Sequence, residues 1–168
     1  MRRRIAVLLV ALVGAAVLMQ LPAWSSDSDK VLEFDTMVAV DGPFVGSANP
    51  IRGINGGGLP WQVEAAKGEL TVDGLLEVEV EGLVLLDAAP VPPALRGTNP
   101  IPSFQAIVSC LTGDESVATV NVSSGLFPAN TAGDSRIEAT VSLPSPCVAP
   151  IVFIASPTGA WFSATGQS

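Results

Sequence analysis

The sequence predicts an all-β protein, a single antiparallel β-sandwich with a small β-barrel as the alternative, over residues 26–168 behind an N-terminal signal helix over residues 1–25. Short β-rich runs recur to the C-terminus with Gly, Pro and Asn between them, and no helical period survives past the leader. Leu76, Val78 and Val80 alternate with Glu77, Glu79 and Glu81, which puts three apolar side chains on one sheet face and three carboxylates on the other. Many short strands at such spacing mean a sandwich or a barrel.

The leader comes first. Met1-Arg2-Arg3-Arg4 is a basic head, residues 5–19 form an unbroken apolar run, and Pro22 precedes the small residues Ala23 and Ser25. These are the parts of a secretory signal peptide, here cleaved near Ser25, so the mature chain is expected to be secreted or extracytoplasmic. The alternative is an uncleaved membrane anchor, since residues 5–21 just reach the roughly 17 residues a tilted spanning helix needs. No later apolar run is long enough to span, so no stable membrane insertion is expected after cleavage.

Strands are expected over residues 33–40, 61–70, 76–81, 104–111, 118–123, 136–143, 150–155 and 160–165. Asp73-Gly74 signals a tight hairpin ahead of the alternating strand. Ser156-Pro157-Thr158-Gly159 places Pro second in a turn that closes on Gly. Residues 41–60 and 87–102 read as long irregular connections rich in Gly or Pro, the kind of segment that carries recognition on a rigid scaffold. An echo at an offset of 43 aligns Trp61-Gln62 with Phe104-Gln105 and Gly82-Leu83 with Gly125-Leu126. A duplicated hairpin would leave that trace, as would chance reuse of strand and turn residues.

Charge narrows the partners. Beyond the leader, the five cations Lys30, Arg52, Lys67, Arg96 and Arg136 stand against all sixteen carboxylates, a formal charge of −11. Nucleic acid and anionic lipid need basic patches and are excluded as partners. His and Tyr are absent, which removes the usual proton shuttle, nucleophile activator and commonest metal ligand, and with them any Ser-His-Asp or Cys-His enzyme. Cys110 and Cys147, both in the exported part, are expected to pair as a disulfide in an oxidising compartment rather than to act as a redox couple, which their spacing does not suit.

Each remaining candidate has a structural reading beside the functional one. Asn55-Gly56-Gly57-Gly58 is not a phosphate loop, because Leu59-Pro60-Trp61 follows where a helix with Lys and Ser or Thr is required, so it reads as a surface loop and a possible binding loop. On that reading, deleting Asn55 to Gly57 is expected to spare the fold. Glu77, Glu79 and Glu81 supply the oxygens calcium prefers, but same-face residues stand nearly 7 Å apart on a strand, so a solvated face is expected and no metal. Trp61 and Trp161 are possible ligand-stacking residues, with Phe44 and Phe127 behind them; their structural reading is core filling.

Several blocks are distinctive: Asp41-Gly-Pro-Phe-Val-Gly-Ser-Ala-Asn-Pro-Ile-Arg-Gly, Leu59-Pro-Trp, Asn99-Pro-Ile-Pro-Ser-Phe-Gln-Ala-Ile-Val-Ser-Cys, Pro146-Cys-Val-Ala-Pro-Ile-Val-Phe and Gly159-Ala-Trp-Phe. Together they resemble a family of small exported bacterial β-proteins of unassigned function. The resemblance implies export and a shared β fold, and carries over no activity, ligand or catalytic residue.

The function expected from all this is a secreted, non-enzymatic β-sandwich of structural or interaction type, without cofactor. The alternative is a carbohydrate or cell-wall binding module, its partner a cell-wall glycan or protein; a His-free hydrolase built on paired carboxylates is the outsider.

Overall fold

A computed structural model describes residues 29–113 and 116–166; the expected signal peptide, residues 1–25, lies outside them. Among the described residues twelve strands follow one another: β1 (Lys30–Phe34), β2 (Met37–Ala39), β3 (Trp61–Gln62), β4 (Ala65–Thr71), β5 (Leu75–Glu81), β6 (Val84–Leu85), β7 (Ser103–Thr112), β8 (Ala118–Ser123), β9 (Phe127–Pro128), β10 (Ser135–Thr140), β11 (Val148–Ala155) and β12 (Trp161–Thr165). They build a four-stranded sheet in the order β1-β4-β5-β10 and a larger one in the order β2-β12-β11-β7-β8, with β9 on β7 and a short β3-β6 ladder. Every strand pair is antiparallel. The expected all-β fold is the observed one.

One core joins the sheets. β5 buries Leu76, Val78 and Val80, and its neighbours add Leu70 and Ile137; Phe104, Val108, Cys110, Val152 and Ile154 come from the larger sheet. Alternation of period two forces this assignment, because a shift of one residue would turn every apolar side chain of β5 to water. Of the glutamates between them, Glu81 is exposed while Glu77 and Glu79 are half-buried by their neighbours on the same face.

Two expected strands prove to be broken. Residues 33–40 divide at Asp35-Thr36 into β1 of the four-stranded sheet and β2 of the larger one, and residues 61–70 divide at Val63-Glu64 into β3 and β4. Both breaks are places where the chain changes sheet, and a local run of β-formers carries no mark of which sheet it joins. The echo at offset 43 has a structural counterpart. β4-β5 and β7-β8 are hairpins, each followed by a left-handed glycine (Gly82, φ 64; Gly125, φ 83), a leucine and a two-residue strand, β6 or β9, that returns to pair at the start of its unit.

The larger sheet is covered on both sides. Phe104 to Cys110 of β7, Val152 to Ala155 of β11 and Trp161 to Ala164 of β12 are buried without alternation. Residues 41–60 supply the second cover. Asn55 and Gly57 bond the backbone of Trp161, Arg52 accepts a bond from Asn121 of β8, and the Arg52 guanidinium donates to the Ala149 carbonyl of β11 at 2.8 Å. This segment is a strap across the sheet rather than a free loop. The second long connection is also fastened, through buried Val91 and through Asn99, whose side-chain amide donates to the carbonyls of Ile101 and Asn130.

Candidate functional site

The open face of the four-stranded sheet holds a concavity of about 630 Å³, lined in part by Glu33, Lys67, Glu69, Glu77, Glu79, Arg136 and Glu138. Register explains its chemistry. Glu33 stands opposite Glu69, Glu69 opposite Glu77, and Glu77 opposite Glu138, so one rung of the sheet carries four carboxylates across four strands. The next rung is Lys67, Glu79 and Arg136. Like charges directly opposite destabilise a sheet, and three cations offset them: Lys30 Nζ lies 3.1 Å from Glu33 and 3.0 Å from Glu69, Lys67 lies 2.9 Å from Glu79, and Arg136 pairs with Glu138. Gly68 sits beneath, under the Phe34 ring, whose Cζ would lie 2.8 Å from an added Cβ. The floor of the concavity is therefore apolar and its walls ionic.

These pairs set the titration. The Lys67 ammonium, through a hydrogen bond and its charge, holds the Glu79 carboxyl below its ordinary 4.5. Asp134 is held below its ordinary 3.8 by bonds from Asn130 and the Gly82 amide, and Asp73 likewise by the Thr71 hydroxyl and backbone amides. In each case the unfolded chain takes up a proton before the folded one does, so these groups stabilise the fold above the ordinary carboxyl values and lose that contribution as pH falls through the lowered ones. Thermal melts between pH 5 and pH 2 should fall on the acid side, and Glu79→Gln should shallow that fall. Asp73 and Asp134 are exposed and Glu79 only half-buried, so the slope is small.

Among the described residues, the three carboxyls with a displaced ionisation, Asp73, Glu79 and Asp134, are all displaced downward. The lining contains no Ser, Thr or Cys. Among the described residues no three acidic or cysteine side chains converge to hold a metal ion.

The other sequence candidates lie elsewhere. Trp61 and Trp161 are 4 % and 3 % exposed and fill the core, which corrects their reading as open stacking faces. Trp61 stacks on Phe162 with ring centroids 3.9 Å apart, and Phe104 meets both rings edge-on. Trp161 lies between Phe153 and Phe44 of the strap. Phe127 is half-buried in β9.

The glycine loop is likewise structural. Gly56 and Gly57 are buried, Gly58 is exposed, and the Gly57 amide donates to the Trp161 carbonyl at 2.8 Å while the Trp161 amide donates to that of Asn55 at 2.9 Å. Deleting Asn55 to Gly57 would remove these bonds, so the expectation that the fold survives is withdrawn. A Cβ on Gly56 would stand 2.0 Å from the Phe44 carbonyl oxygen and 2.8 Å from Val40 Cγ2. Gly56→Ala should accordingly cost about 1–3 kcal/mol, read as a shift of the urea midpoint; an unshifted midpoint would show that the strap yields freely.

At the strap's tip, Ile51 and Ile54 exchange both backbone bonds around Arg52 (φ 50) and Gly53 (φ 79), the two-residue turn that needs positive φ at both central positions. Arginine there is strained by about 1–2 kcal/mol. The sequence gives no sign of this turn, since Asn-Gly or Asp-Gly is its usual signal.

Cys110 and Cys147 form the expected disulfide, their Cα atoms 5.0 Å apart, joining β7 to the chain just ahead of β11. Such a bond belongs to an oxidising environment outside the cytoplasm. Among the described residues no helix is long and apolar enough to cross a membrane. Compared with models of known protein families, with curated proteins and with solved structures, the chain matches none.

Proposed function

We propose that this protein is an exported, non-enzymatic interaction module that meets a cationic partner on the open face of β1-β4-β5-β10. The observation that carries the reading is the rung of four opposed carboxylates, Glu33, Glu69, Glu77 and Glu138, in a concavity of about 630 Å³. Only part of that negative charge is offset within the chain, so a partner's cations would relieve repulsion that the fold otherwise carries. The formal −11 of residues 26–168 adds long-range attraction for the same partners.

Decalysine is the probe that tests it. Binding to the exported chain should weaken steeply between 50 and 300 mM salt, and Glu69→Gln with Glu77→Gln and Glu138→Gln should lower affinity about tenfold or more. The triple variant should be as stable as the wild type or more so, because it removes like-charge opposition. Equal affinity in the triple variant, or no binding at low salt, overturns the reading of this face. Hydrolysis of a glycan or ester by the pure protein overturns the non-enzymatic part.

A further inference from the structure

The outer face of the larger sheet, under the strap, gathers most of the molecule's unresolved costs. Arg52 and Ala149, the two non-glycine residues with positive φ among those described, meet there through the bond from Arg52 Nη2 to the Ala149 carbonyl. Three buried side-chain atoms have no hydrogen-bond partner among the described residues: Arg52 Nη1, Ser109 Oγ and Trp161 Nε1. Ser109 is 0 % exposed and Trp161 3 %. Arg52 bonds Asn121 on β8 and Ala149 on β11, and Ser109 belongs to β7 between them, in register with Asn121 and next to the Ala149 bulge. Trp161, on the neighbouring strand, is crossed by the same strap.

Orphaned polar atoms and left-handed non-glycine residues persist where the surrounding structure holds them, and they collect at functional sites. Lifting the strap would return Arg52 to solvent, release its turn, and leave Ser109 and the Trp161 indole facing outward. We propose that residues 41–57 of the strap, Phe44 included, are a displaceable lid and that the sheet surface beneath binds a neutral oligosaccharide. Arg52 Nη1 and Trp161 Nε1 can only donate and the Ser109 hydroxyl can donate as well as accept, so the ligand supplies acceptor oxygens. Trp161 is capped on the strap side by Phe44, with ring centroids 6.5 Å apart and Phe44 42 % exposed, so the ligand offers a flat apolar ring face in place of Phe44. The strongly acidic chain selects a neutral ligand over an anionic one. A pyranose meets all three conditions. This site is separate from the acidic face of the other sheet.

Hydrogen exchange on the intact chain tests the lid. The amides of Gly46, Gly57 and Trp161 close the strap by bonding Gly57, Trp161 and Asn55; they should exchange at least about tenfold faster than the β7-β11 ladder amides such as Val108 and Val152. Cellohexaose and chitohexaose at millimolar concentration are the ligand probes. One of them should shift the Trp161 indole N–H resonance, speed exchange of the Gly46 and Gly57 amides, and bind Phe44→Ala about tenfold tighter, since a lid already loosened no longer taxes affinity. Strap amides that open only with the whole fold overturn the lid. An indole resonance unmoved by both sugars, in wild type and in Phe44→Ala, overturns the site. Salt and the triple Glu→Gln change should leave sugar binding unaltered, and decalysine should leave the indole resonance in place, so this proposal and the acidic-face reading fail separately.

Discussion

Val78→Asp is expected to abolish folding at room temperature. Val78 is 2 % exposed at the centre of the four-stranded sheet, paired with Gly68 on one side and Ile137 on the other. An aspartate there has Leu76 and Val80 as same-face neighbours along the strand and, among the described residues, no cation within the core. Leaving an ionised carboxylate buried and unpaired costs several kcal/mol or forces it to take up a proton, on top of the lost valine packing. Set against a total stability of about 5–15 kcal/mol, that is most or all of the fold. Glu79→Gln, one residue away on the open face, loses only an exposed ion pair with Lys67 and should change stability by about 1 kcal/mol or less at pH 7. Far-ultraviolet circular dichroism and urea titration of the two variants make the comparison. A folded Val78→Asp with a midpoint near that of the wild type would mean that β5 does not face the core.

Removing the disulfide ranks second. The Cys110–Cys147 bond closes a separation of 37 residues, which the chain-entropy model values at about 4 kcal/mol through restriction of the unfolded chain. Cys110 is also fully buried on β7, whereas Cys147 is half-buried in the segment leading to β11. Cys110→Ala with Cys147→Ala should therefore lower stability by about 2–5 kcal/mol, and reduction of the wild type should reproduce most of that loss. Any excess in the variant over the reduced protein reports the packing lost at Cys110. Equal stability with and without reductant would show that the cross-link contributes nothing to this fold.

Much of the β architecture is written in short stretches of sequence. Residues 118–123 form β8 over the expected span, and Leu76, Val78 and Val80 face the core as their alternation requires. Gly74 closes the β4-β5 hairpin at φ 89, and the Ser156 carbonyl accepts from the Gly159 amide in the expected turn. These features are legible because each depends on neighbours one to four residues apart, where pleat geometry and glycine's freedom at positive φ act directly. The disulfide is readable for another reason: a chain with two cysteines has one way to pair them.

What tertiary structure alone decided concerns which surfaces are covered. Trp61 and Trp161 have the composition of a ligand platform and the position of a core, and nothing local separates the two. Glu33, Glu69, Glu77 and Glu138 are scattered along the chain until strand register sets them in one rung. Residues 41–60 read as a loop because their cover is built from distant partners, as in the bond from Arg52 to Ala149 across 97 positions. Period two assigns a side chain to one face of a strand; whether water, another sheet or a strap meets that face depends on contacts far apart in sequence, which no local pattern encodes.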